Sequence, residues 1–69
     1  MQELYALSKK LTELRKQYGY TQKEVAARLD ITYQSYQAYE RGITVPTLKN
    51  FVKLVKLYDV SSDELLGLE

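Results

Sequence analysis

The chain has 69 residues, 45% of them apolar and 28% charged, which is the balance of one globular domain and too little for two bodies that each keep a core. It holds no Cys and no His, so disulfides, thiolate or imidazole zinc sites, Cys nucleophiles and Ser-His or Cys-His catalytic pairs are excluded. Ten Lys and Arg against nine Asp and Glu leave a net charge of +1, so any nucleic-acid partner has to be argued from where individual charges sit.

Leu4, Leu7, Leu11, Leu14 and Tyr18 recur at steps of three and four, one stripe of a helix over about residues 3–18, and Gly19 follows where a left-handed cap would close it. Thr21-Gln22-Lys23-Glu24 has the form of a capping box and opens a second helix, with Val25, Ala26 and Leu29 as its apolar positions and Asp30-Ile31 as its end. Thr32 caps a third helix that turns Tyr36 and Tyr39 inward and stops at Arg41-Gly42. After the connector from Ile43 to Pro46, the fixed φ of Pro46 suits the approach to a fourth helix ending near Tyr58. Its expected buried stripe is Leu48, Phe51, Val52, Val55 and Tyr58, with Lys49, Lys53 and Lys56 on the opposite, solvated side. Ser61-Ser62-Asp63-Glu64 offers another capping box, for a short fifth helix through Leu65 and Leu66 to Gly67. With no strand alternation and no repeat, the chain reads as a single all-α domain of five short helices over residues 1–69.

Residues 21–42 carry the functional signal: a short helix, a tight turn and a second short helix. Such a helix-turn-helix needs a small residue where the helices cross and a turn residue tolerant of positive φ, and Ala26 and Asp30 stand there. A helix that enters the DNA major groove buries one side and leaves the other for base edges. With Tyr36 and Tyr39 inward, Tyr33, Gln34, Gln37, Ala38 and Arg41 share the outward face, which has no carboxylate. A Gln amide can pair with adenine N6 and N7, and Ala38 can meet a thymine methyl. The alternative is that Gln34 and Gln37 are solvated helix residues with no partner. Seven tyrosines invite stacking on unpaired bases, but Tyr18, Tyr36, Tyr39 and Tyr58 fall on core stripes, only Tyr33 faces outward, and Tyr5 and Tyr20 receive no role.

Tyr20-Thr21-Gln22-Lys23-Glu24-Val25-Ala26, Tyr39-Glu40-Arg41-Gly42, Pro46-Thr47-Leu48 and the run from Val60 to Leu66 resemble the motifs of lambda-repressor-like (Cro/XRE-type) helix-turn-helix domains, over nearly the whole chain. The resemblance implies that compact five-helix fold, with Gln22 on a DNA phosphate, Tyr33, Gln34 and Gln37 reading bases, Arg41 and Thr44 on the backbone, and an Arg15–Glu40 pair between the first and third helices. Lys23, Thr32 and Lys49 are further phosphate candidates, and burial is expected for the Arg15–Glu40 pair. Asp30 stands where the family usually has Gly or Asn, Ser62 where it prefers an apolar residue, and Leu57 where it often has Ala.

The expected function is a sequence-specific regulator of transcription on double-stranded DNA, a repressor acting as a homodimer, with Leu57, Leu65, Leu66 and Leu68 as the candidate interface. The other reading is an antitoxin-like or adaptor module that uses the fold for protein interaction alone. No catalytic spacing or phosphate-cradling loop is present, so neither an enzyme nor a cofactor, metal or small-molecule site is expected. No apolar run nears the ~20 residues that span a bilayer, and Met1-Gln2-Glu3-Leu4-Tyr5 lacks the segments of a signal peptide, so a cytoplasmic location is expected.

Overall fold

Four helices of the protein begin at a hydroxyl. The computed structural model describes the backbone of residues 2–68 and the side chains of residues 5–68. Within it run α1 (Gln2–Gln17), α2 (Gln22–Leu29), α3 (Tyr33–Arg41), α4 (Leu48–Tyr58) and α5 (Ser62–Leu65). Thr21, Thr32, Thr47 and Ser61 precede the last four with extended backbone, and each side-chain oxygen accepts the N–H of the residue three further on. These oxygens satisfy donors that a helix start leaves without an internal partner. At Thr21 the box is reciprocal, since Glu24 Oε1 takes the Thr21 N–H at 2.8 Å. That bond holds the Glu24 carboxyl below its ordinary value. Pro46 lies outside α4, ahead of the Thr47 cap, rather than in its first turn.

α2, α3 and α4 stop at left-handed residues. Asp30 at φ 58° ends α2 and its N–H returns to carbonyls of the last turn; Gly42 at φ 74° does the same for α3. Asp59, at φ 52°, ends α4, a cap that the sequence pattern does not announce.

α1 packs on α3 and α5, and α2 packs on α3 and α4, in a body of 27 × 23 × 21 Å. The core gathers Leu7, Leu11 and Leu14 from α1, Val25, Ala26 and Leu29 from α2, Tyr36 and Tyr39 from α3, Leu54 and Tyr58 from α4, and Leu65 from α5. Leu4, first of the expected α1 stripe, lies outside the residues whose side chains are described. Tyr18 does not extend that stripe: it follows the end of α1, stays 46% exposed, and donates its hydroxyl to the Tyr58 carbonyl at 2.7 Å.

The stripe expected for α4 is out of phase. Leu48 is 78% and Val52 42% exposed, Phe51 and Val55 are half-buried, and the fully enclosed positions are Leu54 and Tyr58, four residues apart. Lys53 donates to the Leu29 carbonyl at 2.9 Å, satisfying an end of α2 with a cation, and so lies against α2 rather than in solvent. Lys49 and Lys56 are exposed, as a solvated face requires.

Tyr58 carries a cost. Its hydroxyl is enclosed beside the Tyr36 hydroxyl without a hydrogen bond of regular geometry among the described residues, and burial pushes its pKa up to about 12. A Tyr58→Phe variant removes a poorly satisfied polar group and keeps the ring, so it should gain up to about 1 kcal/mol. Thermal melting checks this, and a lower midpoint than that of the parent would contradict it.

Candidate nucleic-acid interface

The outward face of α3 is defined by how firmly the inward face is held. Tyr36 is fully buried, Tyr39 is 7% exposed, and the Glu40 side chain retains 5% of its surface. Around that carboxylate the structure assembles donors from three helices. Arg15 of α1 donates Nε to Oε2 at 2.7 Å and a terminal nitrogen to Oε1 at 3.1 Å. Gln22 of α2 donates Nε2 to Oε1 at 3.0 Å, and Tyr36, one turn back on α3, donates its hydroxyl to Oε2 at 2.5 Å. Thr12 Oγ1 divides its proton between the Ser8 carbonyl and Glu40 Oε1, each at 3.1 Å. Arg15 also donates to the Tyr20 carbonyl at 3.1 Å, which fixes the connection into α2.

The electrostatics follow. Burial works against ionising Glu40, but the hydrogen bonds from Arg15, Tyr36 and Gln22 outweigh it and hold the carboxyl below its ordinary value. The same bond to Glu40 raises Arg15, while burial and the bond to Glu40 drive the Tyr36 hydroxyl far upward, so it remains a donor at any physiological pH. A two-oxygen contact between Arg and carboxylate, with its remaining lone pairs occupied, is the geometry in which a buried ion pair holds.

With Glu40, Tyr36 and Tyr39 fixed inward, the other side of α3 is open. Gln34 and Arg41 are exposed, and Tyr33, Gln37 and Ala38 are half-buried along the same flank. Gln37 donates Nε2 to the Tyr33 hydroxyl at 3.3 Å. Thr32 is occupied by its cap, donating Oγ1 to Ser35 Oγ at 2.9 Å while accepting the Ser35 N–H. Beyond α3, Thr44 and Lys49 are exposed, and Asn50 donates to the Tyr39 hydroxyl at 3.1 Å, pinning the start of α4 to α3. The residues named for DNA contact lie along α3, in the following connector and in the first turns of α2 and α4. Of these, Gln22 has its amide nitrogen committed to Glu40 and Lys23 leans over Tyr33.

Of the leucines expected to form a dimer interface, Leu65 is fully buried and belongs to the core, Leu57 and Leu66 are half-buried, and Leu68 is 65% exposed. The three donors that join Arg15 at Glu40, namely Thr12, Gln22 and Tyr36, do not follow from the sequence pattern alone. A partial signal is present: Ser8, Thr12 and Arg15 form a polar seam at steps of four and three beside the Leu7–Leu11–Leu14 stripe.

A helix-turn-helix family model matches residues 11–65, and the chain belongs to that family, in its lambda-repressor-like fold. The chain is 45% identical over 62 residues to the HTH-type transcriptional regulator ImmR of Bacillus subtilis (strain 168), covering 90% of this chain and 49% of that protein. It is 36% identical over 61 residues to the cryptic phage CTXphi transcriptional repressor RstR of Vibrio cholerae serotype O1, covering 88% of this chain and 54% of that protein. It is also 30% identical over 63 residues to the uncharacterized HTH-type transcriptional regulator YgzD of Bacillus subtilis (strain 168), spanning 96% of that protein. The chain thus spans about half the length of the first two relatives and nearly all of the third.

Proposed function

We propose that the chain is a sequence-specific regulator of transcription that represses by binding double-stranded DNA, with α3 in the major groove. The observation that carries this reading is the division of α3 into a locked inner face and an outer flank of Tyr33, Gln34, Gln37, Ala38 and Arg41 without a carboxylate. Tyr33, Gln34, Gln37 and Ala38 take the base edges; Gln22, Thr32, Arg41, Thr44 and Lys49 take phosphates and set the register. Gln22 serves there through its remaining amide atoms and the N–H groups at the start of α2. That the relatives are named as regulators, one of them as a repressor, supports the reading. One recognition helix offers few base contacts, so the binding unit is a homodimer on two half-sites about one helical turn, ~34 Å, apart. Its place of action is the cytoplasm.

Selection of bound sequences from a random duplex pool tests this. A palindromic consensus with that half-site spacing is expected, and the affinity should fall with salt at a slope near −0.9 per neutralised phosphate, for which Arg41 and Lys49 of two copies supply about four cations. The near-neutral charge of +1 favours a second reading, a protein-interaction module of antitoxin or adaptor type. No duplex binding at low salt would decide for it.

A further inference from the structure

Lys23 is exposed in the first turn of α2, a place that suits a phosphate contact, yet its ammonium is turned back over α3. Nζ lies 5.6 Å from the centroid of the Tyr33 ring, within the range of a cation–π attraction. The ring in turn forms one wall of an open hollow of about 390 Å³ shared with Arg15, Tyr20, Thr21, Gln22 and Lys23. At its far end the Tyr33 hydroxyl receives the Gln37 amide nitrogen at 3.3 Å. The three side chains thus form a chain of contacts from α2 to the middle of the outward flank of α3.

We propose that Lys23 is a positioning residue for base reading, holding the Tyr33 ring so that the Tyr33 hydroxyl keeps the Gln37 amide in one place. This rests on the DNA-binding reading and adds to it. An unrestrained Gln samples several rotamers and reaches different base edges from each, so it reads several base pairs comparably. The Tyr33 hydroxyl accepts from Nε2 at 3.3 Å and is equally able to donate to Oε1, so the contact fixes where the Gln37 amide sits and leaves its two ends to match the edge opposite, as the N6 and N7 pair of adenine requires.

The native chain is used in a duplex selection beside Gln37→Ala, which identifies the base pair that Gln37 reads as the one whose preference it relaxes. At that pair Lys23→Met, which keeps the aliphatic stem and loses the charge, should reduce discrimination about two- to fivefold, the range of an exposed cation–π contact. Lys23→Arg should retain it, Tyr33→Phe should relax the same pair, and the salt slope of Lys23→Met should match that of the native chain. Equal weakening of Lys23→Met on all sequences, with the slope shallower by about 0.9, would make Lys23 a phosphate contact and overturn the proposal. So would an unchanged preference in Lys23→Met or Tyr33→Phe, or no pair relaxed by Gln37→Ala. Failure of the native chain to select any duplex overturns the parent reading and this one with it.

Discussion

A Glu40→Ala variant is expected to be largely unfolded at 25 °C. The carboxylate it removes accepts bonds from Arg15, Gln22, Tyr36 and Thr12. Its loss strands a guanidinium whose side chain is only 14% exposed. Breaking a buried pair from one side costs about 3–5 kcal/mol, and a domain of this size holds only about 3–5 kcal/mol in total. The far-UV circular dichroism melt decides it: a cooperative transition within a few degrees of the parent would show that α1, α2 and α3 stay together without this carboxylate. Acid should reproduce the effect in graded form. The Glu40 carboxyl is held below its ordinary value of 4.5. Its contribution to stability is therefore complete well above pH 4.5 and is lost as the pH falls through the lowered folded value. Urea midpoints measured from pH 7 downward should decline below pH 5, and that decline should flatten in Glu40→Gln, which cannot titrate.

The second large effect belongs to a leucine that the helical pattern passes over. Leu54 is fully enclosed, so Leu54→Ala opens a cavity and should cost about 2–5 kcal/mol, whereas Leu48→Ala, at a position 78% exposed, should stay within about 0.5 kcal/mol. Paired denaturant titrations test the contrast, and comparable losses in the two would mean that α4 is rotated from the orientation described here.

That contrast shows where the sequence was legible. Thr21, Thr32, Thr47 and Ser61 open helices by local hydrogen bonds, and local chemistry can be read from neighbouring letters. The inward pair Tyr36 and Tyr39 was equally plain, because α3 has so few apolar positions that only one face can be buried. α4 is different: it carries seven apolar residues among eleven, so several phases satisfy the pattern, and the choice falls to packing against distant parts of the chain, such as α2. Leu48 and Val52 therefore lie outside and Leu54 inside, against the expected stripe. The cap at Asp59 is less legible than the one at Asp30, since no helix-turn-helix pattern surrounds it and an aspartate marks an αL position less plainly than a Gly. Of the candidate site, the outward flank of α3 followed from spacing. The turning of Gln22 toward Glu40 and of Lys23 toward Tyr33 did not, because both depend on which helix lies alongside the first turn of α2.

The splitting of α3 between Glu40 and its outward flank has a consequence for how such a protein can change. Under the proposed DNA-binding reading, anchorage and base contact belong to different letters of the same nine-residue helix. Gln34 or Ala38 can be exchanged for another side chain without disturbing the bonds that keep the helix in place, so on that reading a new operator is acquired by substitution alone, with the scaffold left as it stands. Tyr33 and Gln37 are less free: bound to one another, they are expected to drift as a pair.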